Sequence, residues 1–149
     1  MAEINRKELI LALISAGTTP RLAGVNLSAL DMTRLDMSGA NLRGANMQAA
    51  TLREAILRTA NMPFVDLSLT QAVGLDLDGA NLTGANMSTA NLQAARLTNA
   101  NMTNAIVNGA NLQGANMKGA NVTGLKFDER TTWPDGKRGS QGNPVDYTK

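Results

Sequence analysis

Ala40-Asn41-Leu42-Arg43-Gly44 and Ala115-Asn116-Met117-Lys118-Gly119 are two copies of one five-residue phrase, and that phrase decides the fold. Its third residue belongs to a column that runs from Leu22 to Phe127 without a slip. Every fifth position there is Leu, Met, Val, Phe or, once, Ala (Ala72). Two positions earlier stands a second apolar column, from Val25 through a long run of Ala to Leu125. A polar column, mostly Asn or Asp, lies between the two. Roughly 22 tandem units result, over two thirds of the chain, and internal repetition settles architecture before other arguments do.

A period of five matches neither the 3.6 of an amphipathic helix nor the 2.0 of a strand. Gly and Asn recur throughout, and both are poor helix formers. The pattern fits a chain that turns at every unit. Ala inward, Asn outward and Leu inward make a short strand, and the next two residues, often with Gly, make a corner. Gly there supplies backbone angles that other residues reach only with strain. If four units close a coil, residues twenty apart stack. Opposite charges then meet three times, Arg34 with Glu54, Arg58 with Asp78, and Asp76 with Arg96, and no like-charge pair meets inside the array.

These units resemble the pentapeptide repeat family, whose motif is Ala-Asn/Asp-Leu-X-X, over about Leu22 to Phe127. The resemblance implies an all-β fold, a right-handed quadrilateral β-helix with four units per coil, of bacterial and especially cyanobacterial type. At a sheet-like spacing of about 4.8 Å, about 5.5 coils would make a square rod roughly 26 Å long. The expected organisation is an N-terminal capping helix over residues 1–19, the β-helix over 20–129, and a C-terminal cap with a mobile tail over 130–149.

At the N-terminus, Asn5-Arg6-Lys7-Glu8 has the form of a capping box, Leu9 to Ile14 is apolar, and Gly17 can end a helix. A secretory signal is the rival reading. Glu3 and Glu8 in the leader, with no clean small-x-small cleavage site, weigh against it. A helix here would cover the open end of the first coil and its unpaired backbone edge. At the other end the period dissolves after Phe127. The segment Thr131-Thr132-Trp133-Pro134-Asp135-Gly136 looks like the terminal cap of many family members, with Trp133 over the last coil. Residues 137–149, almost without apolar side chains, read as a mobile tail.

Composition narrows the chemistry. Two Phe, one Tyr and one Trp leave an aliphatic core of Leu, Met and Ala, and Met residues 32, 37, 47, 62, 87, 102 and 117 all take the large inward position, as packing rather than metal ligands. There is no Cys and no His, so thiolate chemistry and the commonest general base are absent. The formal net charge is +2, which gives neither a nucleic-acid-binding stripe nor an acidic surface. No apolar run is long enough to span a membrane. The expectation is a cytoplasmic, monomeric, non-enzymatic protein with no catalytic residues, metal or cofactor, and with neither nucleic acid nor membrane as partner.

The Asn column at 41, 61, 81, 101 and 121 is expected to form an amide ladder between coils. Asp66, Asp76 and Asp78 are the nearest thing to an acidic cluster, with Arg96 and Arg58 placed to neutralise Asp76 and Asp78. Arg43 belongs to the first side of the rod, Arg34 and Arg53 to the third, Arg58 to the fourth. They read as solvated charge, with phosphate contact the alternative. The third coil departs most from the motif. Pro63, Phe64, Leu69 and Val73 fall at corner positions that face solvent, and Ile56 and Ile106 replace the outward Asn. Sequence drift, or a bulge that tucks Phe64 inward, is one reading. The other is a partner-docking band formed by Ile56, Phe64, Leu69, Val73 and Ile106.

Two roles known in the family frame the function. Gyrase-protecting members are seen as mimics of duplex DNA, elongated dimers with an acidic surface and, in several, loops that interrupt the coil. This near-neutral, uninterrupted, short array departs from each feature that a sequence can show. The other is an interaction module of unassigned pathway. The expectation is therefore a non-enzymatic scaffold that binds a protein partner, with a DNA-mimicking modulator of DNA gyrase or topoisomerase as the alternative.

Overall fold

Backbone hydrogen bonding explains why the unit is five residues long. The computed structural model describes residues 2–149. In the unit centred on Leu42, the Asn41 N–H donates to the Pro20 carbonyl of the preceding coil (2.8 Å). The Leu42 and Gly44 N–H groups donate to the following coil, at Asn61 (2.8 Å) and Pro63 (2.9 Å), and the Ala45 N–H closes the corner on Leu42 (3.0 Å). The one remaining donor, the Arg43 N–H, is taken by the Asn41 side-chain Oδ1 at 3.2 Å. Every N–H of the unit is thus paired, as a packed backbone requires.

Repetition of this scheme pairs residues in parallel at a spacing of twenty, from Arg21 with Asn41 to Ile106 with Lys126. Four units therefore complete a coil, and the rod has four sides. The first side starts at the unit of Leu22, the second at Leu27, the third at Met32 and the fourth at Met37, so the second and fourth lie opposite each other. The Leu/Met column and most of the Ala column are buried along the shaft. Where Thr70 replaces Ala it is also buried, and its hydroxyl donates to the Leu67 carbonyl at 2.8 Å, so no polar group is stranded.

The expected amide ladder is largely replaced by turn bonds. Asn41, Asn81, Asn101 and Asn121 each accept the backbone N–H two residues on, at 3.2, 3.2, 3.1 and 3.0 Å. These local Asx bonds take the oxygen that a ladder would need. The exception has its own cause. Pro63 carries no N–H, so the Asn61 oxygen is free to accept from Asn81 Nδ2 at 3.2 Å.

Helix α1 (Arg6–Ala16) carries the expected capping box. Asn5 Oδ1 accepts the Glu8 N–H (3.0 Å), Glu8 Oε2 accepts the Asn5 N–H (2.7 Å), and Gly17 ends the helix at φ 67°. Leu9 is buried in the core of the rod, with Ile4 and Leu13 packed against it. The Glu3 N–H donates to Asn26 (2.8 Å), and the Arg6 guanidinium donates to the carbonyls of Asp31 (2.7 Å) and Thr33 (2.9 Å).

At the C-terminal end the register continues past Phe127 with one residue inserted, so that Asn111 pairs with Thr132. Thr131 and Trp133 take the two inward positions of this extra unit, and both are buried. The segment expected to be a mobile tail instead folds back over Trp133. Trp133 Nε1 donates to the Gly139 carbonyl (2.8 Å), the Tyr147 ring stacks on the indole at 5.7 Å, and Phe127 meets it edge-on at 5.1 Å. The Gly119 N–H donates to Thr148 at 2.8 Å. Covering a single indole takes one aromatic ring and a glycine able to lie flat, which the tail's overall polarity conceals. Burial, with donation to the Asp135 carboxylate (2.9 Å), pushes the Tyr147 hydroxyl up to about 12.

Candidate functional site

Corner geometry decides what an exposed residue costs. The second corner residue of each unit has positive φ, for instance 62° at Gly44 and 64° at Gly84. That region is open to Gly and strained for side chains with a Cβ, by roughly 1–2 kcal/mol. Eleven non-Gly residues among those described occupy it all the same, nine of them Ala, Thr, Asn, Arg34 or Glu54. Phe64 (59°) and Leu69 (62°) are the two large apolar ones, 61% and 51% exposed. They flank the second side at the third coil. Register is intact around them, since the Phe64 N–H donates to Thr83 (2.9 Å) and the Leu69 N–H to Ser88 (3.0 Å), so no bulge tucks Phe64 inward.

The five candidate positions do not form one band. Ile106 stands on the second side with Phe64 and Leu69, in the outward column that pairs Asn46, Asp66, Asn86 and Ile106 in turn. Ile56 lies on the opposite fourth side, pairing with Asp36 and Asp76, and Val73 sits at the corner between the third and fourth sides. Ile56, Val73 and Ile106 are half-buried, and Pro63, expected at the surface, is buried. Exposed apolar surface on the third coil therefore belongs to the second side.

Two charged neighbours complete that side, and neither was singled out for it by the sequence pattern. Asp66 lies between Phe64 and Leu69. Its Oδ1 accepts the Ser68 N–H (2.9 Å) and Asn86 Nδ2 (3.4 Å), and no Lys or Arg pairs with it among the described residues. Arg43 lies across the Phe64 ring, its guanidinium carbon 5.9 Å from the centroid. The ring itself covers Gly84, where an added Cβ would stand 2.6 Å from the Phe64 Cε1. Position 43 seen against position 64 twenty-one residues on was the available signal, once four units per coil are assumed.

On the fourth side the charges satisfy one another. At its corner with the third side, Arg34 Nε meets Glu54 at 2.6 Å, as the spacing implied. Arg58 differs from expectation, reaching diagonally to Asp76 Oδ2 (2.6 Å), because Asp78 is engaged by the Thr98 hydroxyl and by Arg96 at 3.7 Å. Arg96 also approaches Asp76 at 3.8 Å. The Thr98 hydroxyl, with Arg96, holds the Asp78 carboxyl below its usual range; the Arg34 hydrogen bond does the same for Glu54. Carboxylates held ionised and paired are poorly suited to acid–base work. No group of three or more His, Cys, Asp or Glu is placed to hold a metal among the described residues. One cleft between α1 and the first coil is lined by Ala12, Leu13, Ala16, Pro20, Arg21 and Leu22, without a carboxylate, and its neighbour carries a single one, Asp36. No helix among the described residues is long and apolar enough to cross a membrane.

The family model "Pentapeptide repeats" matches residues 21–58, 57–88 and 85–128, with 8 copies. Among solved structures, the chain is similar to the pentapeptide repeat protein Rfr23 from the cyanobacterium Cyanothece 51142, at 29% identity over 86% of this chain and 99% of that one, with a TM-score of 0.44. It is similar to HetL, a pentapeptide repeat protein involved in heterocyst differentiation regulation in the cyanobacterium Nostoc sp. strain PCC 7120, at 28% identity over 80% and 62% of the two chains, TM-score 0.35. A third is QnrB1, a plasmid-mediated fluoroquinolone resistance protein, at 18% identity over 76% and 64%, TM-score 0.47. No curated protein matches the chain.

Proposed function

The chain belongs to the pentapeptide-repeat family, whose fold is the right-handed quadrilateral β-helix, and from that premise we propose that it is a non-enzymatic docking rod that binds a protein through its second side. One observation carries the reading: Phe64 and Leu69 are large apolar side chains standing exposed at corners that elsewhere hold Gly, Ala or polar residues. Each exposes apolar surface at a corner where Gly would suit the backbone better, and two such side chains flanking one side point to a role outside folding. A preformed flat surface also loses little ordering entropy when it docks. We read α1 and the folded-back C-terminal segment as stoppers for the two ends, which leaves the sides as the binding surface.

Affinity capture from the native lysate tests this, with the rod and its Phe64→Gly/Leu69→Gly variant as baits. Glycine suits both corners, so the variant keeps the fold. A partner held by the rod and lost by the variant is the expected result. A folded variant that retains every interaction overturns the reading. Recovery of DNA gyrase would return the DNA-mimic alternative on a chain of net charge +2.

A further inference from the structure

We infer that the second side takes a second copy of this chain, packed side against side with the two rods antiparallel; this rests on the docking reading above and names the partner. A two-fold axis running across the second side exchanges its coils. Because corresponding residues recur every twenty positions, the possible registers near Phe64 are few. An axis at the third coil sets Asp66 on Asp66 of the second copy, like charge on like charge. An axis between the third and fourth coils sets Phe64 on the second copy's Gly84, a place already covered by that copy's own Phe64 ring.

An axis between the second and third coils has neither fault. It sets Phe64 on the second copy's Gly44 and points its ring, which leans over Gly84, towards that copy's Gly24. Nothing lies within 4 Å of the Cβ position of either glycine, and Leu69 falls on Ala49. Asp66 then faces Asn46. Arg43 of the second copy arrives opposite Pro63, beside Phe64 and three residues from Asp66. Arg43 is the cation that already lies across a Phe64 ring in the single chain, and Asp66 is the carboxylate without a cation. Bulky residues meet small ones and a cation comes near a carboxylate that lacks one, twice over by symmetry. Such a self-complementary patch is what an isologous interface requires. The expectation of a monomer drawn from the covered ends does not bear on this contact, which uses a side.

Sedimentation of the full chain over a range of concentrations tests it. The expected result is a reversible dimer with a dissociation constant of about 1–100 μM, in the range of a small transient interface. Phe64→Gly/Leu69→Gly should be monomeric with an unchanged circular dichroism spectrum. Arg43→Glu places a carboxylate near Asp66 of the other copy and should weaken association by about tenfold or more. Adding Asp66→Asn, which keeps the oxygen that accepts the Ser68 N–H, should recover most of that loss. A wild-type chain monomeric to about 0.1 mM overturns the inference. So does a dimer that survives the double glycine variant, or an Arg43→Glu defect that Asp66→Asn leaves unchanged. A monomeric rod that still captures a partner through Phe64 and Leu69 overturns self-association while the docking reading stands.

Discussion

The second and fourth sides of the rod share one backbone and carry opposite surfaces. On the fourth side, departures from the repeat motif help the fold: Arg58, Asp76, Asp78 and Arg96 engage one another across coils. On the second side they bring no such bonds, since Phe64 and Leu69 hold large apolar side chains in solvent at corners where Gly would suit the backbone better. The repeat fixes inward residues and backbone pairing and leaves the outward and corner positions free. What occupies those positions then separates residues that serve stability from residues that serve something else.

The largest effect should come from breaking the fourth side. Asp76 caps the Asp78 N–H at 3.1 Å and binds Arg58 at 2.6 Å, so Asp76→Ala removes a turn bond and leaves two guanidinium groups without their shared partner. A loss of about 2 kcal/mol is expected in urea denaturation, for a charge-assisted bond plus a cap. Asp66→Ala on the second side removes only turn and amide bonds and should cost about 1 kcal/mol. Equal losses would erase the contrast between the sides.

A smaller effect, of opposite sign, is expected at Ile56 and Ile106. Neither can accept the N–H two residues on, as Asn does elsewhere in the column, so Ile56→Asn and Ile106→Asn should each gain about 0.5 kcal/mol from a restored Asx bond. Destabilisation at either site would mean that the isoleucine packs usefully where it stands.

The mildest tests concern the C-terminal end, with Trp133 fluorescence as readout while the sides stay folded. The Arg130 side chain, aided by the Gly109 N–H, holds the Asp128 carboxyl down to about 2. Its contribution is fully present above the unfolded value of about 3.9 and is lost as pH falls through about 2. Tyr147 runs the other way. Its proton is held more tightly in the folded chain, so its contribution is complete below about 10 and is lost as pH rises through about 12. Trp133 emission should therefore change at both extremes. A steady spectrum through both would show that neither group anchors the segment.

Much of the fold could be read directly, because a five-residue period with two apolar columns leaves the chain few ways to bury them. The column of Asn was just as visible, yet its work was not: whether an amide bonds its own turn or the coil above depends on oxygen directions that letters do not carry. Spacing by twenty identified Arg34 with Glu54 and failed for Arg58, whose long side chain reaches a diagonal neighbour. Phe64 and Leu69 were legible as misplaced corner residues. Their grouping with Arg43 and Asp66 on one side, away from Ile56 and Val73, needed the four-sided coil. The tail was misread because polarity counts say nothing of how few groups it takes to cover one Trp.

The central claim is that Phe64 and Leu69 are kept at a cost to the fold, and a urea denaturation curve of the Phe64→Gly/Leu69→Gly chain beside the wild type tests it most directly. Relief of two strained corners should leave the variant as stable or up to about 1 kcal/mol more stable, after the unfolded-chain entropy of Gly is set against the strain. A loss of about 2 kcal/mol or more would contradict the claim, because it would make these side chains part of the packing rather than a surface held out for a partner.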